Sequence, residues 1–135
     1  MSDASVRFLS VENVRRIHAD TIAHEGGSAG VRDLGLLESA VAMPQASFGG
    51  EYLHESLPSM AAAYLYHLCQ NHPFVDGNKR AAAFSCVLFL SLNGTQDNAL
   101  PEQGDLERAT LSVASGEMMK ADLTRWLRSV VGQPP

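Results

Sequence analysis

The chain has 135 residues, 45% of them hydrophobic and 19% charged, with a formal net charge of -5 at neutral pH. That length suits one domain over residues 1–135 whose core needs no staples, and the composition excludes a disordered or fibrous chain. The acidic balance argues against a broad nucleic-acid surface, which needs a basic face, and leaves room only for a local cationic pocket.

No stretch reaches the ~18 apolar residues of a membrane span, and the N-terminus carries no charged-then-apolar leader. The expectation is a cytoplasmic protein with no membrane and no direct nucleic-acid partner. Cys69 and Cys86 lie far apart within apolar runs, with no CxxC pair or zinc-spaced His/Cys cluster. They read as buried, reduced thiols.

In chain order, Val6-Arg7-Phe8-Leu9 alternates weakly and suggests a short edge strand. From Ser10, a helix N-cap, Val11, Val14, Ile17, Thr21 and Ile22 follow helical spacing, and Gly26-Gly27 supply a left-handed C-cap. His18 and His24 read as solvated residues of that helix. Gly26-Gly27-Ser28-Ala29-Gly30 lacks the Gly-Lys-Ser/Thr ending of a phosphate loop and follows no convincing strand, so it reads as a mobile turn.

Asp33 is placed to cap a short helix through Leu34, Leu36, Leu37, Ala40 and Val41, closed before Pro44. Ala46 to Ser56 mixes glycines with aromatics, which suits either a hairpin-like flap or a connecting loop. A flap with an open edge can take a partner segment as an added strand. His54 within it is expected to be exposed.

Leu57-Pro58 opens the next helix. Met60 to Leu65, Leu68 and Cys69 put apolar groups on nearly every face, which marks a central helix. Asn71 and His72 end it, because Pro73 cannot continue the backbone bonding. Ala81 to Leu92 forms a second wholly apolar helix, stopped at Asn93-Gly94. Gly94 to Gly104 is a polar surface loop. Leu106, Ala109, Thr110, Val113 and Ala114 describe an amphipathic helix ending near Gly116; Leu123, Trp126, Leu127 and Val130 describe the last; Gly132 to Pro135 is a frayed tail. The fold class is mainly α, about six helices.

Between the two central helices lies His72-Pro73-Phe74-Val75-Asp76-Gly77-Asn78-Lys79-Arg80. The first N–H groups of the following helix have no intrahelical partner, and its positive dipole end points into the loop. Gly77 lets backbone approach an anion, Arg80 can fork two phosphate oxygens, and Lys79 offers a point charge. Asp76 beside such a seat repels phosphate unless magnesium lies between them, since that ion binds one carboxylate together with phosphate oxygens and waters. His72 carries an imidazole, which suits a base on a hydroxyl. Asn78 can hold phosphate oxygens or the loop itself, and apolar Phe74 suits an anchor in the core.

Each group also has a plainer use. Asp76 can N-cap the helix, Lys79 and Arg80 can be solvated, and His72 can bond a carbonyl at the helix end. A zinc site of His67, His72 and Asp76 is disfavoured, because residues five apart do not share a helix face. The plain uses leave unexplained why every residue type needed for phosphoryl chemistry falls within one nine-residue turn.

The stretch resembles the signature of the Fic/Doc family, His-x-Phe-x-Asp/Glu-Gly/Ala-Asn-Gly/Lys-Arg. The likeness extends to Gly30-Val31-Arg32-Asp33, Gly35-Leu36-Leu37-Glu38-Ser39-Ala40, Pro44-Gln45 and Phe48-Gly49-Gly50. It is closest to the death-on-curing (Doc) branch, small toxins of toxin–antitoxin pairs. The resemblance implies a compact helical fold with the motif between two central helices and a flap over the target segment. It implies His72 as base, Asp76 as magnesium ligand and Phe74 as anchor. Phosphates of ATP would be seated by the backbone around Gly77 with Asn78, Lys79 and Arg80.

Fic adenylyltransferases have glycine where this chain has Lys79, and they transfer AMP from ATP. Doc-type toxins carry lysine there and are associated with transfer of the γ-phosphate, onto a threonine of translation elongation factor Tu. AMP transfer, or a non-catalytic binding module of the same fold, are the alternatives. Thr21-Ile22-Ala23-His24-Glu25-Gly26 also fits a loose pattern by which some Fic proteins block their own site. A separate antitoxin with a segment that folds on binding is the expected partner.

Overall fold

The computed structural model of the protein describes residues 5–132. Six α-helices account for most of it: α1 Val11–Glu25, α2 Leu34–Ala42, α3 Leu57–Asn71, α4 Asn78–Leu92, α5 Gln103–Ala114 and α6 Lys120–Val131. Between α2 and α3 lies a hairpin of β1 Ser47–Phe48 and β2 Glu51–Tyr52, paired antiparallel with Ser47 opposite Tyr52 and Phe48 opposite Glu51. The fold is mainly helical, as the periodicity predicts.

Local chemistry accounts for the helix starts. Ser10 caps α1 and bonds reciprocally with Asn13; Asp33 caps α2 by accepting from the Leu36 N–H; Ser56 and Ser59 form the same reciprocal pair at α3. Each satisfies backbone donors that a helix start leaves open. α3 is the axis of the fold and packs against α2, α4, α5 and α6. Ala61, Ala62, Ala63, Ala81 and Ala82 are fully buried, so α3 and α4 approach closely. One hydrophobic cluster, including Val14, Leu37, Leu65, Phe89, Val113 and Leu127, draws on all six helices. Cys69 and Cys86 are free and buried, and burial pushes their thiols up to about 11 and about 12.

Several expectations need correction. Among the described residues Val6 to Leu9 pairs with no strand. Asn93 instead brackets Arg7, accepting from its N–H (2.8 Å) and donating to its carbonyl (2.9 Å), while the Tyr64 hydroxyl accepts from the Leu9 N–H (2.8 Å). Side chains do there what a ladder would do. Gly26 ends α1 with φ 87° and ψ 175°, which is not the left-handed cap conformation. The stretch after Asn93 is more ordered than a plain loop: Asp97–Ala99 forms a 3₁₀ turn, Pro101 is buried, and α5 already includes Gly104. Of the tail, residues 133–135 lie outside the described residues. Among the described residues no helix is long and apolar enough to cross a membrane.

Candidate active site

The loop between α3 and α4 is held from three directions. Its first residue, His72, ends α3 in the left-handed conformation (φ 51°, ψ 53°), the only non-glycine with positive φ among the described residues. That conformation costs roughly 1–2 kcal/mol, and the neighbours over-determine it. Arg32 donates from Nε to the His72 carbonyl (2.7 Å) and from Nη2 to the Asn71 carbonyl (3.1 Å). The N–H groups of Arg32 and Asp33 both donate to the Pro73 carbonyl (2.7 and 3.1 Å). Locked from behind, His72 leaves its side chain exposed to solvent.

The second hold is internal. Asn78 is buried; its Oδ1 accepts from the Phe74 N–H (2.9 Å) and its Nδ2 donates to the Phe74 carbonyl (3.0 Å). Of the two uses open to this side chain, holding the loop is the one observed, and what Asn78 presents outward is its backbone N–H. The third hold is α1. His18, expected to be solvated, is buried with its ring stacked on Phe74, centroids 3.8 Å apart and planes 4° apart. Its Nε2 lies 2.7 Å from the Asp76 carbonyl, to which it donates. Phe74 itself is only 1% exposed.

The glycine-rich turn after α1 is not loose either. Ser28 N–H donates to Asp76 Oδ2 (3.1 Å), and Val75 N–H donates to the Gly30 carbonyl (3.0 Å). A Cβ on Gly27, at φ 114°, would stand 2.8 Å from Asp76 Oδ2, so only a glycine fits at position 27 against that carboxylate. Asp76 Oδ1 accepts from the Gly77 N–H (2.9 Å). The two backbone N–H bonds, aided by Arg80, hold the Asp76 carboxyl below the usual carboxylate range although it is exposed.

Gly77, the N-cap of α4, is left-handed (φ 75°), and a Cβ there would meet Ile22 Cδ1 at 3.2 Å. No side chain caps α4, and its first backbone bond runs from Ala81 N–H to the Gly77 carbonyl (3.0 Å). The N–H groups of Asn78, Lys79 and Arg80 therefore lie ahead of the ladder at the positive end of the dipole. Lys79 and Arg80 are exposed in the same turn.

Arg80 Nε pairs with Glu25 Oε1 at 3.0 Å, both side chains about half exposed. Glu25 is the acidic residue of the loose self-blocking pattern, and it reaches the motif. Lys79, Arg80 and Glu25 line a cleft of about 300 Å³ together with apolar Ala83, Phe84, Leu106 and Leu111. The hairpin is exposed, with Phe48 83% accessible at its start. His54, expected to be exposed, is instead half-buried at the base of this segment, 3.0 Å from Lys120 Nζ. Reading the chain alone misses His18, Arg32 and Ser28, which hold the loop from other elements; of these only Arg32 lies within a stretch that carries the family likeness.

Comparison with known proteins bears on the family. The Fic/DOC family matches residues 8–90. A "Toxin Doc" from Mycolicibacterium smegmatis is 46% identical over 102 residues, covering 76% of this chain and 74% of that protein. The "Protein kinase doc" of Escherichia phage P1 is 34% identical over 127 residues, covering 94% of this chain and 98% of that one. The chain belongs to the Fic/DOC family, and within it to the Doc branch.

Proposed function

We propose that this chain is a Doc-like toxin that transfers the γ-phosphate of ATP to a Ser or Thr hydroxyl of a protein. Elongation factor Tu is the expected target, and arrest of translation in the cytoplasm the expected result. The observation that carries the proposal is the uncapped, cationic start of α4 beside an exposed His72 and a backbone-held Asp76. One relative's name as a toxin and another's as a protein kinase support it.

In the proposed reaction the hydroxyl oxygen bonds to the γ-phosphorus while its proton passes to the His72 imidazole. The bond from that phosphorus to the β-phosphate oxygen breaks, and ADP leaves. Charge on the transferring group is met by the N–H groups of Asn78, Lys79 and Arg80 and by the two side-chain cations. Locking the His72 backbone through Arg32 restricts where the base can point, which favours one approach of the hydroxyl.

Asp76 fits a magnesium ion. Its carboxylate is exposed and kept ionised, and each oxygen accepts one N–H, which leaves lone pairs for a hard cation. When bound, magnesium neutralises charge between that carboxylate and the phosphates. The apolar lining of Ala83, Phe84, Leu106 and Leu111 suits the nucleoside of ATP, and Lys79 and Arg80, which line the same cleft, suit its phosphates. A separate antitoxin is the expected partner, as the kinship with a named toxin supports.

The test uses ATP labelled at either the α or the γ phosphate, incubated with the protein, magnesium and cell extract or purified elongation factor. Label on protein from the γ position alone is expected. Label from α instead makes the protein an adenylyltransferase, and label from neither position makes it a binding module. His72→Ala is expected to abolish the signal; retained signal removes His72 as the base. Lys79→Gly is expected to weaken γ-transfer and to admit α-transfer, and unchanged γ-transfer would show that Lys79 does not select the phosphate.

A further inference from the structure

His18 touches three motif positions from outside the motif. Its ring stacks on Phe74, its Nε2 lies 2.7 Å from the Asp76 carbonyl, and its Cδ2 and Nε2 lie 3.6 Å from where a Gly77 Cβ would be. It reaches across 58 positions of sequence to do so, and it is only 4% exposed. A solvated helix residue has no such surroundings.

The bond to the Asp76 carbonyl has a consequence for the peptide that follows. A trans peptide is planar, with its C=O and N–H pointing to opposite sides. With the Asp76 carbonyl drawn inward to α1, the N–H of Gly77 is turned outward, where it meets Asp76 Oδ1 at 2.9 Å. Gly77 sits at φ 75° and, lacking a Cβ, tolerates other backbone angles about as well. Glycine therefore does little to stop this peptide from flipping. A flip would take away the N–H that holds Asp76 Oδ1, leaving only Ser28 on that carboxylate, and turn a carbonyl oxygen toward the start of α4, where it would repel phosphate.

We propose that His18 is a positioning residue for phosphate and metal binding, acting by donating from Nε2 to the Asp76 carbonyl and so fixing the 76–77 peptide. This rests on the reading of the loop as an ATP site. His18 need not touch ATP, and its effect passes through the orientation of the Gly77 N–H and the Asp76 carboxylate.

Two substitutions separate the hydrogen bond from the stack. His18→Phe keeps a flat ring against Phe74 and has no donor. His18→Gln carries a donor at similar reach and has no ring. Calorimetric titration of ATP with magnesium, in a His72→Ala background so that nothing turns over, should show about tenfold weaker binding for His18→Phe, the scale of one hydrogen bond. His18→Gln should bind within a few-fold of its parent even if it melts lower. In nucleotide-free ¹⁵N spectra the Gly77 amide should move in the Phe variant and stay near its parent position in the Gln variant. If His18→Phe does not fold, His18→Met, which fills similar volume without a donor, replaces it.

A Phe variant that binds ATP like its parent with an unmoved Gly77 amide overturns the proposal. So does a folded Gln variant that fails as the Phe variant does, since the ring and not the donor would then matter. If the parent itself binds no ATP, the ATP-site reading falls, and the Gly77 amide still decides whether His18 fixes the peptide.

Discussion

The starts of α4 and α6 present the same problem with different solutions. Each carries a cation in the first turn, at the positive end of a helix dipole. At α6, Asp122 lies in that turn and accepts from the Met119 N–H at 3.3 Å. Lys120 Nζ rests 3.0 Å from both His54 Nε2 and His67 Nε2 and 5.9 Å from the centroid of the Tyr66 ring. The charge there is answered by the protein's own groups. At α4 there is no acidic residue in the first turn and no side-chain cap, and Lys79 and Arg80 stand exposed. Arg80 has Glu25 of α1 and the Asp76 carboxylate as acidic neighbours, and Lys79 forms no ion pair among the described residues. One helix start is finished internally; the other, on the proposed reading, is finished by the phosphates of ATP.

The comparison breaks most visibly if α4 is given what α6 has. Lys79→Asp supplies an acidic first turn, and it should stabilise the fold by about 0.3–1 kcal/mol while weakening ATP binding by more than about tenfold. Melting and calorimetry on the same sample check both signs; unchanged affinity would mean the open helix start is not the seat. Gly77→Ala comes next. Its left-handed φ and the Ile22 contact should destabilise the protein by about 1–2 kcal/mol in chemical denaturation.

The two helix starts should also titrate apart. Burial first, then Lys120 and His54, push His67 down to about 4. An unfolded histidine titrates near 6.5, so between about pH 6.5 and 4 the unfolded chain binds more protons. Stability from this residue is therefore full above that window and falls as the pH is lowered through it. His67→Gln should flatten the melting curve against pH there. Asp76, whose carboxyl is held low by Ser28 and Gly77, contributes its loss only below the ordinary carboxylate range. The smallest effect expected is Glu25→Gln, which frees Arg80. An exposed pair is worth about 0–1 kcal/mol, so ATP binding should tighten by no more than a few-fold with melting unchanged. Weaker binding would mean that Glu25 assists the site.

Much of the frame is legible in the chain because its causes are local. Ser10, Asp33 and Ser56 cap the helices that follow them, Pro73 stops α3, and the apolar faces of α3 and α4 predict their burial. The motif is legible as a set of chemical types, since its residues are adjacent. Its support is not, because it comes from elsewhere in the chain: His18 from α1, Ser28 and Gly30 from a turn that looks loose, and Arg32 from the lead-in to α2. A histidine one helical turn from Val14 looks the same in sequence whether it faces water or Phe74. The burial of His54 is hidden for the same reason, since Lys120 and His67 lie on other elements. Periodicity identifies buried faces; it does not identify polar pairings across the fold.

The most direct measurement is a ¹H–¹⁵N titration of the His72→Ala protein with ATP and magnesium, following the amides at both helix starts. The N–H resonances of Asn78, Lys79 and Arg80 are expected to shift and saturate together, while those of Ala121 and Asp122 stay in place. Unmoved resonances at Asn78, Lys79 and Arg80 with ATP bound, or equal movement at both helix starts, would contradict the start of α4 as the phosphate seat.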